Sequence, residues 1–261
     1  MPNAMHIARS GLEALDARLR TISNNLANAN TVGFKRDRAA FETLMYQTVR
    51  PAGAPAGADS RFGMGLSTGA GVRLAGNERV HSQGGFTTTE NALDLAIDGE
   101  GLFEVTLPDG RAAYTRAGAF TRNAEGRVVT AQGHPLSPGI DVPENATGIT
   151  VGADGTVSAM LPGETAPGEV GRLTLAGFIN PAGLEPYGEN LFLESAASGA
   201  PQQGNPAENG LGRIRQGTLE GSNVSAVQEL VDMIETQRAY EINSKVISAA
   251  DEMMRYVNQS V

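Results

Sequence analysis

The sequence predicts a mainly β central domain and a discontinuous α-helical coiled-coil domain formed by the N- and C-terminal helices. Three observations support this fold class. Residues 2–30 carry apolar side chains at an unbroken alternation of three and four positions. Residues 222–261 carry a second long apolar stripe. Between them lies a segment rich in glycine, with short alternating runs separated by turn pairs, which is typical of β-structure.

The first stretch predicts a helix from about Asn3, a residue that favours the N-cap, to about Asn28. Its apolar spacing is that of the seam of a coiled coil, in which two positions of every seven face a partner helix. The seam consists of Met5, Ala8, Leu12, Leu15, Leu19, Ile22, Leu26 and Ala29.

The last stretch predicts a second helix that begins within residues 220–228. Ser225 with Gln228 three positions later fits a capping box, and Asn223 is an alternative cap. An interval of eleven residues recurs along its stripe, which predicts a nearly straight or slightly right-handed path. The stripe consists of Val227, Val231, Ile234, Ile242, Val246, Ala249, Met253 and Val257.

The two helices therefore have different apolar periods, seven residues in the first and eleven in the second. They do not match as an ideal two-stranded coil, and this favours packing among several helices, including those of other copies. The alternative is an ordinary helical hairpin packed on the β domain. Charge also favours association of the ends, because residues 1–50 hold seven Lys/Arg against four Asp/Glu, and residues 222–261 hold three against six.

Two segments connect the first helix to the β domain. Residues 37–49 predict either a short amphipathic helix or an extended arm. Residues 50–71 are dense in Pro, Ala and Gly and cannot form a core of their own, so we expect a mobile loop or an arm that is ordered by contact.

Residues 72–215 predict an all-β region of short strands. Asp109-Gly110, Asn123 to Gly126 and Asp154-Gly155 each separate two alternating runs and predict hairpins. Residues 171–180 and 189–195 predict further strands, and residues 198–210 predict a polar loop. We expect a helical coiled-coil domain of residues 1–36 and 222–261, a linker or arm of residues 37–71, and a β domain of residues 72–221.

Catalytic patterns are weak. Asp94, Asp98 and Glu100 are the densest carboxylate group and are the candidates for glycoside hydrolysis. The turn chemistry favours a structural interpretation, in which Asp98 starts a turn and the other two carboxylates are solvated. The glycine-rich residues 63–71 lack the spacing of a phosphate-binding loop. We therefore expect no enzyme activity, and also no cofactor and no metal, since the chain has no cysteine and its three histidines are scattered.

The acidic balance of the chain, a net charge of −9, argues against a nucleic-acid partner. Arg9, Glu13, Asp16, Arg18 and Arg20 interrupt any apolar segment within residues 1–20. We therefore expect no cleaved secretory signal.

Residues 10–36 contain the motif NNLAN-x-x-T-x-GFK, and they resemble the N-terminal signature of the bacterial flagellar rod and hook (axial) proteins. Residues 228–254 resemble the C-terminal signature of the same family, and LDLAIDGEGLF, YTRAGAF and GRVVTAQGHPL resemble its central β domain. Residues 41–53 with the arm that follows resemble the distal-rod branch of the family, and the proximal rod and hook proteins are the alternative within it. The motif is formed by Asn24, Asn25, Leu26, Ala27, Asn28, Thr31, Gly33, Phe34 and Lys35.

The resemblance implies a structural subunit whose terminal helices line the centre of a helical tube, with the β domain outside and an arm that contacts neighbours. It implies a drive shaft that transmits torque from motor to hook across the periplasm. It also implies export by the flagellar type III apparatus. The implied partners are copies of the chain, neighbouring rod and hook proteins, and flagellar ring and export proteins, with no nucleic acid and no small-molecule substrate.

Overall fold

The computed structural model describes residues 2–56, 60–163 and 167–259. The described residues form two α-helices, twenty β-strands and one 3-10 helix. In chain order the elements are α1 (Pro2–Ala27), β1 (Asp37–Thr43), β2 (Gln47–Arg50), β3 (Leu66–Thr68), β4 (Val72–Arg79), β5 (Phe86–Thr88), β6 (Leu95–Asp98), β7 (Leu102–Thr106), β8 (Ala112–Thr115), β9 (Phe120–Arg122), β10 (Val128–Thr130), β11 (Leu136–Ser137), β12 (Gly148–Val151), β13 (Thr156–Met160), β14 (Gly168–Arg172), β15 (Leu175–Gly177), the 3-10 helix (Pro181–Gly183), β16 (Glu185–Gly188), β17 (Leu191–Leu193), β18 (Gln202–Gly204), β19 (Arg213–Gln216), β20 (Thr218–Glu220) and α2 (Ala226–Gln259).

The described residues divide into two compact units. The helical unit comprises residues within 1–27, 37–78 and 225–261, and the β unit comprises residues within 28–36 and 79–224. Residues 28–36, which follow the first helix directly in the chain, thus group with the β unit.

In the helical unit, α1 and α2 pack against each other, and α1 also contacts β1. β1 pairs with β4, and β2 pairs with β3 in an antiparallel hairpin. The prediction of two terminal helices is confirmed, with ends within one or two residues of those expected. The extended alternative for residues 37–49 is correct, because these residues form β1 and β2 rather than a helix.

The two cap assignments differ in outcome. Asn3 lies inside α1, so its assignment as N-cap is wrong. Ser225 directly precedes α2, and its carbonyl accepts a hydrogen bond from the Glu229 amide at 3.0 Å, which is the first bond of the helix. Asn223, the alternative cap, instead uses its side chain within the β unit, where its oxygen accepts from the Arg36 amide.

The β unit is built on a seven-stranded sheet with the order β16-β17-β8-β7-β15-β18, and β11 pairs with β7 outside this path. β12, β13 and β14 form a separate three-stranded sheet. The three predicted hairpins are confirmed as β7–β8, β9–β10 and β12–β13. The predicted polar loop at residues 198–210 is wrong in part, because it contains β18, which pairs with β15 at the sheet edge.

The core of the β unit lies between these sheets and consists of apolar residues from most strands. Its centre includes Phe103 and Phe120, whose rings meet edge to face with centroids 5.2 Å apart. A smaller cluster on the sheet includes Tyr114 and Phe192. Among the described residues, no helix combines the length and hydrophobicity that crossing a membrane requires.

Candidate functional site

The predicted seam of α1 is largely covered within the helical unit. Ala8 and Ile22 are buried. The other seam residues of this helix are half-buried: Met5, Leu12, Leu15, Leu19 and Leu26. This face of α1 is therefore the one that packs inside the unit.

The predicted stripe of α2 has the opposite environment. We call six of its residues the outer face of α2, and all six are between 44% and 74% exposed: Val227, Val231, Ile234, Ile242, Val246 and Met253. Val257 lies in the same helix, but its side chain is outside the part of the chain that the structure describes. The outer face is thus an apolar surface with little cover from its own chain.

A different set of α2 residues lies toward the interior of the helical unit. We call this set the inner face of α2, and it is buried or half-buried: Glu229, Asp232, Thr236, Ala239, Asn243, Ile247, Ala250 and Met254. Successive members of this set lie three or four residues apart, as expected for one face of a helix. The sequence analysis did not select these residues, because most of them are polar or small. The most hydrophobic positions of the helix belong to the outer face.

The inner face allows close approach of the two helices. A Cβ atom at Gly11 of α1 would lie 2.7 Å from Nδ2 of Asn243, so α1 needs a glycine here or Asn243 must move. On the α2 side, most of the residues that face α1 within one chain are therefore small or polar.

Asn25 of the signature motif joins three elements of the helical unit. Its side-chain amide donates to the Asp37 carbonyl of β1 at 2.8 Å and to Glu229 of α2 at 3.2 Å, and its oxygen accepts from the Asp37 amide at 2.9 Å. Both Asn25 and Glu229 are almost fully buried. Since buried polar groups need such partners, Asn25 fixes where α1 ends relative to β1 and α2.

Lys35 of the same motif belongs to a buried ion cluster in the β unit. Its Nζ lies 2.7 Å from Oε1 of Glu220, whose Oε2 lies 2.6 Å from Nε of Arg116. Lys35 also donates to the Ser82 carbonyl at 2.8 Å, and the Gly84 amide donates to Glu220 at 2.9 Å. Arg116 donates to the carbonyls of Ile97, Gly99 and Gly101. The cluster thus joins β20 and the segment before β1 to several β-unit loops.

Lys35 and Arg116 share the Glu220 carboxylate, and this arrangement shifts the pKa values of Lys35 and Glu220. Burial lowers the pKa of Lys35, and the neighbouring Arg116 adds to this effect, while Glu220 opposes it. Burial alone raises the pKa of Glu220, but Arg116, Lys35 and the Gly84 amide outweigh it and hold the pKa below its ordinary value. Glu220 is therefore the charged centre of the cluster.

Gly33 allows residues 28–36 to lie directly against the rest of the β unit. Its φ is +69°, and a Cβ atom there would lie 2.5 Å from the Ala117 amide nitrogen. The Gly33 amide donates to the Glu220 carbonyl at 2.8 Å. Nearby, the Thr31 hydroxyl donates to Asn28 at 3.1 Å, and Phe34 is buried. The motif residues Asn24 and Ala27 are exposed on α1.

The arm presents a second apolar surface. Its exposed large side chains belong to the β2–β3 hairpin or to the residues next to it. The Arg50 guanidinium lies 3.7 Å from the ring centroid of Phe62. These exposed residues are Met45, Tyr46, Val49, Phe62, Met64 and Leu66.

The three candidate carboxylates do not form a catalytic pair. Asp94 is buried and accepts from the Thr89 hydroxyl at 2.7 Å and from the Asn91 amide at 2.9 Å, so the expectation that it is solvated is wrong. Asp98 is half-buried at the end of β6, and Glu100 is exposed in the turn that follows. The described residues contain no group of three or more His, Cys, Asp or Glu side chains that could hold a metal ion.

Three family models match separate parts of the chain. Residues 5–35 match "Flagella basal body rod protein", residues 96–159 match "Flagellar hook protein FlgE/F/G D1 domain", and residues 215–260 match "Flagellar basal body rod FlgEFG protein C-terminal". The first and last of these include Asn25, Lys35, Glu220 and Glu229, and the second includes Arg116, so all three contain residues of the two buried clusters. Both helices and the centre of the β unit are therefore similar to one group of proteins.

Curated relatives match over nearly the full length. The chain is 47% identical to the flagellar basal-body rod protein FlgG of Buchnera aphidicola subsp. Acyrthosiphon pisum over 98% of both chains. It is 47% identical to FlgG of Caulobacter vibrioides, again over 98% of both chains. The flagellar basal-body rod protein FlgF of the same Caulobacter strain is 36% identical, over 98% of this chain and 96% of that protein. Within one organism, similarity to FlgG thus exceeds similarity to FlgF.

Proposed function

The chain belongs to the family of flagellar hook and basal-body rod proteins, and on that basis we propose that its copies form a rigid tube through the outer face of α2. Like its relatives named FlgG, it is a structural subunit of the distal rod and not an enzyme. It assembles into a polymer with other flagellar axial proteins. The alternative of a β-rich module that binds or hydrolyses cell-wall glycan is not favoured.

The observation that carries the proposed assembly is the contrast between the two faces of α2. The inner face consists mostly of polar or small residues, yet it packs inside the unit, while the outer face is apolar and exposed. An exposed apolar surface of this kind is typical of an interaction site. We assign the outer face to contacts with α1 and α2 of other copies.

The energetics favour assembly only when several neighbours are present. Fully burying a Val, Ile or Met side chain gains about 1.5–3 kcal/mol. Six partly exposed side chains therefore offer several kcal/mol, against an association cost of about 4–15 kcal/mol. A single pairwise contact is therefore at best marginal against that cost, whereas a site at the end of a growing tube supplies several contacts at once.

In the flagellum, the parts of the subunit occupy different positions in this proposal. The two terminal helices line the tube, the β unit lies outside, and the arm of residues 37–71 contacts neighbours. The rod crosses the periplasm and transmits torque from motor to hook. The subunit is exported by the flagellar type III apparatus without a cleaved signal, and it meets ring and export proteins.

Replacement of one outer-face residue tests the proposal. Ile242→Asp places a carboxylate in the proposed contact, and Gln237→Asp adds the same charge at another exposed position of α2. We expect the Ile242→Asp chain to keep the circular dichroism of the native monomer but to form no polymer and to fail to restore motility in a strain that lacks the protein. Gln237→Asp should assemble normally. Normal assembly and motility of the Ile242→Asp chain would contradict the proposed role of the outer face.

A further inference from the structure

Within the described residues, the chain passes between the helical unit and the β unit four times. We call these points crossings, and they lie at residues 27–28, 36–37, 78–79 and 224–225. A segment that connects two compact units is by default a flexible linker, in which a few backbone dihedrals absorb the load applied to either unit. A subunit that transmits torque therefore needs crossings whose backbone is held at each end.

The side chain of Asn223 bonds to two other segments of the β unit. Its oxygen accepts a hydrogen bond from the Arg36 amide at 2.7 Å. Its Nδ2 donates to the Val80 carbonyl at 2.8 Å, and to the carbonyl and the hydroxyl of Ser82 at 3.0 Å each. The backbone N–H of Asn223 also donates to the Phe34 carbonyl at 3.4 Å. The amide group thus uses its acceptor and both of its N–H donors.

These bonds lie beside three of the four crossings. Arg36 is the last residue before the second crossing, Val80 is the second residue after the third, and Asn223 is the second residue before the last. All of the atoms that Asn223 bonds belong to the β unit. One side chain therefore ties together the β-unit ends of three crossings.

The crossing at residues 36–37 is held on both of its sides. The Arg36 carbonyl accepts from the Val80 amide at 2.9 Å, so both backbone groups of Arg36 are bonded within the β unit. Both backbone groups of Asp37 are bonded to the Asn25 side chain within the helical unit, at 2.9 Å and 2.8 Å. Two consecutive residues with all four of these groups bonded leave little backbone freedom at this crossing.

We propose that Asn223 is a positioning residue for torque transmission, because it fixes three chain segments where they enter or leave the β unit. With these ends held, a load on the β unit reaches the helical unit instead of being absorbed by rotation of linker dihedrals. This inference rests on the proposed torque transmission and names the side chain of the β unit on which it depends. It is separate from the outer face of α2, which concerns contacts between copies.

Hydrogen exchange of the full chain tests whether Asn223 holds the crossing. Asn223→Ala removes the acceptor of the Arg36 amide, so we expect exchange at this amide to become about tenfold faster. Asn223→Asp keeps an acceptor oxygen but loses both donors, so exchange at Arg36 should stay within about threefold of native. Asn180→Ala is the matched control, because it removes one exposed amide bond to the Ala197 carbonyl at 3.0 Å elsewhere in the β unit. It should leave exchange at Arg36 unchanged.

Rods isolated from a complemented strain test the mechanical role. We expect Asn223→Ala to form rods of native length in which averaged electron-microscopy images show blurred β units around sharp helices. Swimming speed should fall more steeply with the viscosity of the medium than it does for the native protein. Asn223→Asp should have the same two effects, and Asn180→Ala should match the native protein. A residue that only stabilises the β unit would instead give fewer rods with β units of native sharpness.

The outcomes separate this inference from the proposed function. A native chain that forms no rod would overturn the proposed function, and the role of Asn223 with it. Native rods together with sharp β units and a native response to viscosity in Asn223→Ala would overturn the role of Asn223 alone. Unchanged exchange at the Arg36 amide in Asn223→Ala would also overturn it. Faster exchange with blurred β units supports it.

Discussion

At the scale of single residues, two polar side chains of one short motif organise different units. Asn25 joins α1, β1 and α2 in the helical unit, and Lys35 joins residues 28–36 to β20 in the β unit. Both side chains are buried and have partners more than 180 residues away in the chain. The motif is therefore a structural device that acts through hydrogen bonds and one ion cluster.

Glu220→Gln should destabilise the β unit strongly, because it leaves the buried cations Lys35 and Arg116 without their carboxylate. Loss of one partner of a buried ion pair costs about 3–5 kcal/mol. Arg127→Gln is the control, since the Arg127–Asp141 pair is 60% and 69% exposed and should contribute less than about 1 kcal/mol. Urea unfolding followed by circular dichroism measures both. Equal free energies of unfolding for the two variants would contradict a structural role for the cluster.

The stability of the β unit should fall as the pH decreases from about 6.5 toward 4. The pKa of His81 is lowered from 6.5 to about 4 by burial, with Lys35, Arg79 and Arg116 adding to this effect. The folded state therefore favours the neutral imidazole, and the unfolded chain binds the proton first. This stabilisation is fully present above pH 6.5 and is lost through the window below it.

His81→Asn isolates this contribution, because it removes the titrating ring while carboxylates elsewhere titrate in both proteins. The measurement is the urea midpoint of each protein at pH 7, 6, 5 and 4. We expect the native midpoint to fall more steeply over this range. Parallel pH profiles for the two proteins would show that His81 is not responsible.

Sequence reasoning reached the motif residues but not their partners. Gly33 and Lys35 were singled out by resemblance, whereas Glu220, Arg116 and Glu229 look like ordinary strand, loop and helix residues in the sequence. Burial and the pairing of charges depend on contacts between distant segments. A local sequence pattern does not predict such contacts. The burial of Asp94 was likewise not predictable from the sequence, because it depends on which residues surround Asp94 in the folded chain.

At the scale of elements, hydrophobic periodicity found both helices but selected only one face of α2. The apolar stripe that it selected is exposed, whereas the face that packs inside the helical unit contains Glu229, Thr236 and Asn243. A helix that contacts partners on two sides needs two patterns, and a search for apolar spacing detects the more hydrophobic one. Hairpins with Asp-Gly turns were found readily, while β18 was missed because Gln202 and Gln203 carry no hydrophobic alternation.

Deletion of residues 50–66 should leave both units folded and should weaken or soften the polymer. Thr48 and Ser67 are paired across β2 and β3, so the deletion rejoins the chain between positions that are already adjacent. The exposed apolar residues Phe62, Met64 and Leu66 are removed with it. Electron microscopy of the assembled protein measures the straightness and length of the rods.

The control for the deletion keeps the hairpin and replaces Met64 and Leu66 by serine. If the exposed apolar side chains make the contact, both variants should form weakened or flexible rods. Straight, rigid rods from the deletion variant would show that the arm is only a connection between strands.

At the scale of the whole molecule, one chain combines surfaces for different neighbours. The outer face of α2 and the arm are separate in the sequence, and each is exposed among the described residues. The arrangement of an all-β region between two helical ends was predictable from periodicity and turn residues. The division into units was less predictable from the sequence. Residues 28–36 follow α1 in the chain, but hydrogen bonds hold them to the β unit.

The position of Glu220 in the chain also determines when the β unit can be completed during synthesis. Lys35 leaves the ribosome first, and the carboxylate that pairs with it follows 185 residues later. Until then, two cations lack their counter-charge, and β5 lacks β20, the strand with which it pairs. A truncated chain that ends before Glu220 therefore cannot close this ion cluster, so the β unit is completed only after every strand has been synthesised and just before α2 emerges.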